Sequence, residues 1–177
     1  MSAMGEGGYL VIFIVLQRLA ELMIAKRNTA RLLATGGVEV GRGHYPLMVL
    51  FHVVWIAGLW ILGKDHDVNR IGLAIFIVLQ LLRVWTIATL GPRWTTRIVV
   101  MPGLPRVTGG PYRFIRHPNY AIVAAEIAVV PLALGLPVFA LAAFLANAAI
   151  LAIRIQTEDA ALKRADPKNL ANSPRGG

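Results

Sequence analysis

Two short stretches of this sequence carry side chains suited to holding an anion and aligning a reacting group. The first is Gly110-Pro111-Tyr112-Arg113-Phe114-Ile115-Arg116-His117-Pro118-Asn119-Tyr120. Pro118 suits the first turn of a helix, where its missing N–H costs nothing. Asn119 and Tyr120 then fall beside the unpaired N–H groups of that turn. Two arginines, a histidine and two tyrosines thus gather at a positive helix end, a setting for an anionic group. The second stretch holds Asn147, Arg154 and Glu158, whose spacing of i, i+7 and i+11 puts them on one face of a later helix. Arg154 precedes Glu158, the less favoured order for a helix salt bridge, so a purely stabilising pair is the weaker reading. The bland reading of the first stretch is an aromatic and basic anchor at a membrane interface.

Other ionisable groups stand inside apolar runs. Arg18 and Glu21 are one helical turn apart, and Arg83 follows Gln80. Charges at such positions are expensive and default to a functional hypothesis. The structural alternatives are a mutual pair that fixes helix packing for Arg18 and Glu21, and a side chain reaching to the interface for Arg83. Glu126 lies seven residues after Asn119, on the same helix face, and is expected to pair with Arg83 or Arg18. Arg18, Glu21, Arg83 and Glu126 are the catalytic candidates. His44 and His52, two turns apart, are read as packing or substrate contacts, and no metal site is expected. Trp55 and Trp60 are expected to face lipid or the outer interface.

The elements that must position these groups are membrane helices. The 177 residues are 56% hydrophobic and 15% charged, with a mean hydropathy of +0.63. That is too apolar for a water-soluble domain of this size. The expected fold is all-α, with about five spans at residues 9–25, 45–62, 71–90, 120–136 and 137–155. The last two form a tight hairpin around Gly135 and Pro137. One domain covers 1–177. Residues 1–90 hold three spans on the acceptor side, 91–165 carry the functional loop, hairpin and last helix, and 166–177 form a flexible tail. No cleavable signal is expected. Cys is absent, which excludes disulfides and thiolate chemistry.

The net charge of +9 is spread between apolar runs, which favours cytoplasmic loops and anionic lipid over nucleic acid. Lys26, Arg27, Arg31 and Arg42 face one acid, Glu39, in the first loop. Lys64, Asp65, Asp67 and Arg70 balance in the second. Arg93, Arg97, Arg106, Arg113 and Arg116 stand without an acid in the third. This alternation places the N-terminus outside and the C-terminus in the cytoplasm. Residues 91–119 are too long for a plain connection and too apolar for disorder, with Trp94, Ile98-Val99-Val100-Met101 and turns at Pro102-Gly103 and Gly109-Gly110-Pro111. They are expected to form an ordered basic cap on the inner face. The start of the fourth helix and the end of the fifth then share one pocket.

The motif Gly110-Pro111-Tyr112-Arg113 through Arg116-His117-Pro118-Asn119-Tyr120, followed by Arg154, Glu158-Asp159 and Leu162, resembles the isoprenylcysteine carboxyl methyltransferase family. Gln17-Arg18, Glu21, Arg27-Asn28, Gly37, Glu39, Gly41 and His44-Tyr45-Pro46 resemble a small bacterial branch that accompanies type III polyketide synthases and methylates alkylpyrone-type products. The resemblance implies S-adenosylmethionine as cofactor, held by Tyr112, Arg113, Arg116, His117, Pro118, Asn119, Tyr120, Asn147, Arg154 and Glu158. Asp159 stands where relatives often have a second Glu. It also implies a lipophilic or prenylcysteine-like acceptor, methylated on a carboxylate or an enolic or phenolic oxygen, at the bacterial inner membrane. Such an acceptor arrives ionised and needs alignment more than a covalent nucleophile. The competing readings are a phospholipid N-methyltransferase, an NADPH-dependent sterol-reductase-like enzyme and a membrane scaffold without catalysis.

Overall fold

The computed structural model describes residues 4–165. Five α-helices account for most of them: α1 (Glu6–Ala34), α2 (Tyr45–Gly63), α3 (Arg70–Leu90), α4 (Pro118–Ala133) and α5 (Pro137–Ala165). Stretches α1, α2, α3 and α5 are long and apolar enough to cross a membrane. Helix α4 has 16 residues, about 24 Å at 1.5 Å per residue, short of the ~30 Å hydrocarbon layer. Its two ends nevertheless reach opposite ends of the bundle. His117 leads into it beside the end of α5, while Ala133 O accepts from Asn69 N at the start of α3. With four to five apolar helices, the chain is an integral membrane protein.

Helix boundaries follow local chemistry. Asn69 caps α3 by accepting from Ile71 N and Gly72 N at 3.0 and 3.1 Å, which satisfies two of the orphan donors of a first turn. Helix α4 contains Pro131 and stops within a turn of it, where Gly135 takes a φ of 71°. The helix therefore starts two residues before the expected fourth span at 120–136 and ends three residues before that span does. Helices α1 and α5 run nine and ten residues beyond the expected spans at 9–25 and 137–155, respectively, into amphipathic ends. The tail expected at 166–177 lies outside the described residues.

Two further departures from the sequence reading concern β structure and a tryptophan. Strands β1 (Val38–Val40) and β2 (Ile98–Val100) pair antiparallel, with Glu39 opposite Val99. Three-residue strands carry too little alternation to be read as such, and a small ribbon joins the first loop to the third. Trp55, expected to face lipid or the outer interface, is 2% exposed. It packs with Leu59, Ile14, Ile127 and Val130 in the main core, while Trp60 keeps an exposed position.

That core lies between α1, α2, α3 and α4, with Ala143 of α5. Gly72 lets α3 approach α4 closely, since a Cβ there would lie 2.5 Å from that of Ala133. Outward-facing Leu16, Met23, Ile61, Val84, Val138 and Leu141 are exposed, which a lipid environment tolerates and water does not. One end of the bundle is closed by Gly7 N and Gly8 N donating to His66 O and Lys64 O. The other end collects the β ribbon, the 91–117 segment and the end of α5, and it builds a site.

Candidate functional site

Arg154, 4% exposed, organises this end of the molecule. Its Nε donates to the Tyr120 hydroxyl at 2.7 Å, Nη2 to Thr96 O at 2.6 Å, and Nη1 touches the Met48 sulfur at 3.4 Å. One side chain thereby ties α5 to α4, α2 and the 91–117 segment. The Tyr120 hydroxyl in turn donates to Glu158 Oε2. Arg154 and Glu158 thus act through a tyrosine, which the i, i+4 spacing alone does not reveal. The His117 ring stacks on Tyr120, with centroids 5.3 Å apart and planes at 18°. The sequence motifs at the start of α4 and the end of α5 are one cluster in space.

Two chambers open on that cluster. The first is polar and basic. Its wall includes Arg93, Arg97, Arg106, Tyr112, Arg116, His117 and Glu158, with an apolar side from Ile98, Val100, Met101, Leu104 and Leu162. The second is mostly apolar and lies among the helices. Leu19, Leu22, Met48, Val53, Ile56 and Leu151 line it, with Arg18, Glu21, His52, Arg83 and Asn147 as its polar part. Trp94, Thr95, Asn119, Tyr120 and Arg154 belong to both walls.

Of the residues singled out in the sequence, Tyr112, Arg116, His117, Asn119, Tyr120, Arg154 and Glu158 line the first chamber. Arg113 lies outside both, its guanidinium 4.6 Å from the centroid of the Phe114 ring. Pro118 is buried as the first residue of α4 and lines neither chamber. Asn147 lines the second chamber alone. The sequence reading passed over Met48 and Thr96, counted Arg106 only as loop charge, and read Trp94 only as a sign of order. Asn28, which donates to Gly91 O and Trp94 O at 3.2 and 2.8 Å, holds the entrance segment against α1.

The catalytic candidates form a buried ionic network. Arg83 donates to Glu21 through Nε and, at 2.5 Å, through Nη2, and to Glu126 at 3.0 Å. Arg18 reaches Glu21 at 3.2 Å and Glu126 at 2.6 Å. Gln17 and Gln80 link the two carboxylates at their other oxygens. Two arginines meet two glutamates, and Glu126 has both of the partners expected for it. Arg83 is fully enclosed by this pairing, whereas Arg18 keeps 17% of its side chain accessible.

Buried polar groups without a hydrogen-bond partner surround the first chamber. His117 Nε2 lies 3.4 Å from Asp159 Oδ1, just outside the wall, without forming a hydrogen bond, and that oxygen also lies 3.5 Å from Arg106 Nη1. Asn119 Oδ1 and Trp94 Nε1 lack partners. Burial, and secondarily the Glu158 carboxylate, push the Tyr112 phenol up from its usual range, so it stays a neutral donor. Arginines, the Glu158 carboxylate, and aromatic and apolar faces occur together in the chamber wall.

The model of the isoprenylcysteine carboxyl methyltransferase (ICMT) family matches residues 71–164, which hold α3, α4, most of α5 and nearly all of the first chamber. The chain belongs to this family. Its membrane methyltransferase character follows from that membership. A Bacillus subtilis relative, the uncharacterized protein YpbQ, is 35% identical over 159 residues, covering 87% of this chain and 95% of its own. An uncharacterized protein of Haemophilus influenzae is 27% identical over 163 residues, covering 86% and 92%. These two ICMT-family relatives extend the likeness across α2 and into α1, beyond the family match. No solved structure matches the chain.

Proposed function

We propose that this protein transfers a methyl group from S-adenosylmethionine to an oxygen of a lipophilic acceptor, at the wall shared by its two chambers. The observation that carries the reading is the junction itself. A basic, polar chamber and an apolar chamber among the helices meet at Trp94, Thr95, Asn119, Tyr120 and Arg154. A water-soluble methyl donor and a membrane-soluble acceptor need such a meeting point.

In this reading Arg116 and Arg106 hold the carboxylate of the cofactor, and Glu158 its ammonium. The apolar side at Ile98, Val100 and Leu162 covers its ring. The cofactor supplies an activated methyl group on a positive sulfur, and the carbon–sulfur bond breaks as the carbon–oxygen bond forms. Tyr120 presents its ring at the junction, its hydroxyl fixed between Arg154 and Glu158. Arg154 carries a positive charge with no carboxylate in direct contact, so it favours an acceptor oxygen that arrives as an anion. Alignment supplies most of the catalysis, since an ionised oxygen needs no base. The basic end is the cytoplasmic one, in keeping with its arginines. Long-chain carboxylic acids and hydroxypyrones of polyketide origin are the acceptor class.

An amine acceptor is disfavoured because Arg154, at the junction, favours an anionic oxygen over a basic nitrogen. The test is methyl transfer from labelled S-adenosylmethionine by the purified protein in detergent. Hexadecanoate, a long-chain hydroxypyrone and phosphatidylethanolamine serve as acceptors. Label in a methyl ester or methyl ether is the expected product. Label only in an N-methylated lipid overturns the oxygen assignment.

A further inference from the structure

Deep in the second chamber two N–H donors have no partner. Asn147, in the middle of α5, is 1% exposed, and its amide nitrogen makes no hydrogen bond although the residue lines the cavity. Arg18, which lines the same cavity, spends Nη1 on Glu21 and Nη2 on Glu126, which leaves Nε unpaired. Neither residue reaches the first chamber. The remaining unpartnered groups of this wall, Asn119 Oδ1 and Trp94 Nε1, belong to the junction. Buried donors left unmade are costly, and the favourable way to satisfy them is an acceptor atom carried by whatever fills the cavity.

The charges nearby do not supply that atom. Glu21 and Glu126 are engaged by Arg18 and Arg83 on both oxygens or by the glutamines. His52 turns Nδ1 to Met48 O at 2.8 Å, so that nitrogen is a donor as well. The rest of the lining is aliphatic apart from Met48, the junction residues, and Tyr45 and Thr96 toward that end. A hydrocarbon chain alone would fill this space and strand both donors.

We infer that the second chamber contains a distinct subsite, built on Asn147 with Arg18, for a second, uncharged oxygen in the tail of the acceptor. This rests on the methyl-transfer reading only for the position of the reacting end. Asn147 precedes Arg154 by two helical turns, roughly 10 Å along the axis. If the reacting oxygen lies at Arg154, the second oxygen is roughly eight bonds down an extended chain. The ligand class is therefore a long-chain lipid with a carbonyl or ether oxygen in mid-chain, not a plain alkyl acid. A carbonyl oxygen, with two lone pairs, accepts from an amide N–H donor and keeps a second lone pair free.

The probes are hexadecanoate and 8-oxohexadecanoate, which differ by one carbonyl. Their affinities are measured by calorimetry on the detergent-solubilised full chain, without turnover. The wild type is expected to bind the oxo acid about tenfold more tightly. Asn147→Leu, close in volume, is expected to abolish the preference while its S-adenosylhomocysteine affinity stays unchanged. Equal affinity of the wild type for the two acids overturns the subsite, as does a preference that survives in Asn147→Leu. The wild-type comparison stands even where the variant fails to fold. Loss of S-adenosylhomocysteine binding in a wild type that keeps the oxo preference would instead count against the methyl-transfer reading and leave the subsite intact.

Discussion

Each charge inside this bundle is explained by what it touches. Arg83 contacts two glutamates through all three of its nitrogens, so its first task is to make the α1–α3–α4 junction possible at low dielectric. Removing one partner of such a pair leaves the others buried without compensation, at a cost of about 3–5 kcal/mol. Arg83→Gln is accordingly expected to lower the melting temperature markedly, while the fraction that remains folded keeps its S-adenosylhomocysteine affinity. Unchanged thermal stability, with methyl transfer lost, would move Arg83 from packing to chemistry. Arg154 is different, because its contacts are a phenol, a backbone carbonyl and a thioether. That leaves its charge available to the junction of the two chambers.

Elements that repeat with helical period were legible in the sequence, and those that do not were hidden. Five apolar runs marked five helices, and the spacing of Asn147, Arg154 and Glu158 placed them on one face. The ends of α1 and α5 were missed because their amphipathic extensions no longer read as span. The ribbon of β1 and β2 is too short to show alternation, and the contacts of Thr96, Met48 and Asn28 join segments distant in sequence with no periodic signal. Asn28 illustrates the consequence. It carries two hydrogen bonds to the 91–94 turn, each worth about 1 kcal/mol net, and the turn presents Trp94 to both chambers. Asn28→Ala is expected to weaken S-adenosylhomocysteine severalfold and to speed proteolytic cleavage within residues 91–117, with the helices intact by circular dichroism. Cleavage and affinity identical to wild type would show that the turn holds without it.

At the scale of the molecule, one end of a lipid-exposed bundle is locked by backbone contacts and the other is shaped into adjoining polar and apolar chambers. Family membership covers the half of the chain that builds the polar chamber, and the two relatives extend across the helices that build the apolar one. The central claim is that the polar chamber is the methyl-donor site. Calorimetry of S-adenosylhomocysteine and of NADPH against wild type, His117→Ala and Glu158→Ala tests it most directly. The account predicts saturable S-adenosylhomocysteine binding to the wild type, no binding of NADPH, and a loss of roughly tenfold or more in each variant, the scale of a hydrogen bond to a charged group. Binding of NADPH in place of S-adenosylhomocysteine, or full affinity in both folded variants, would contradict it.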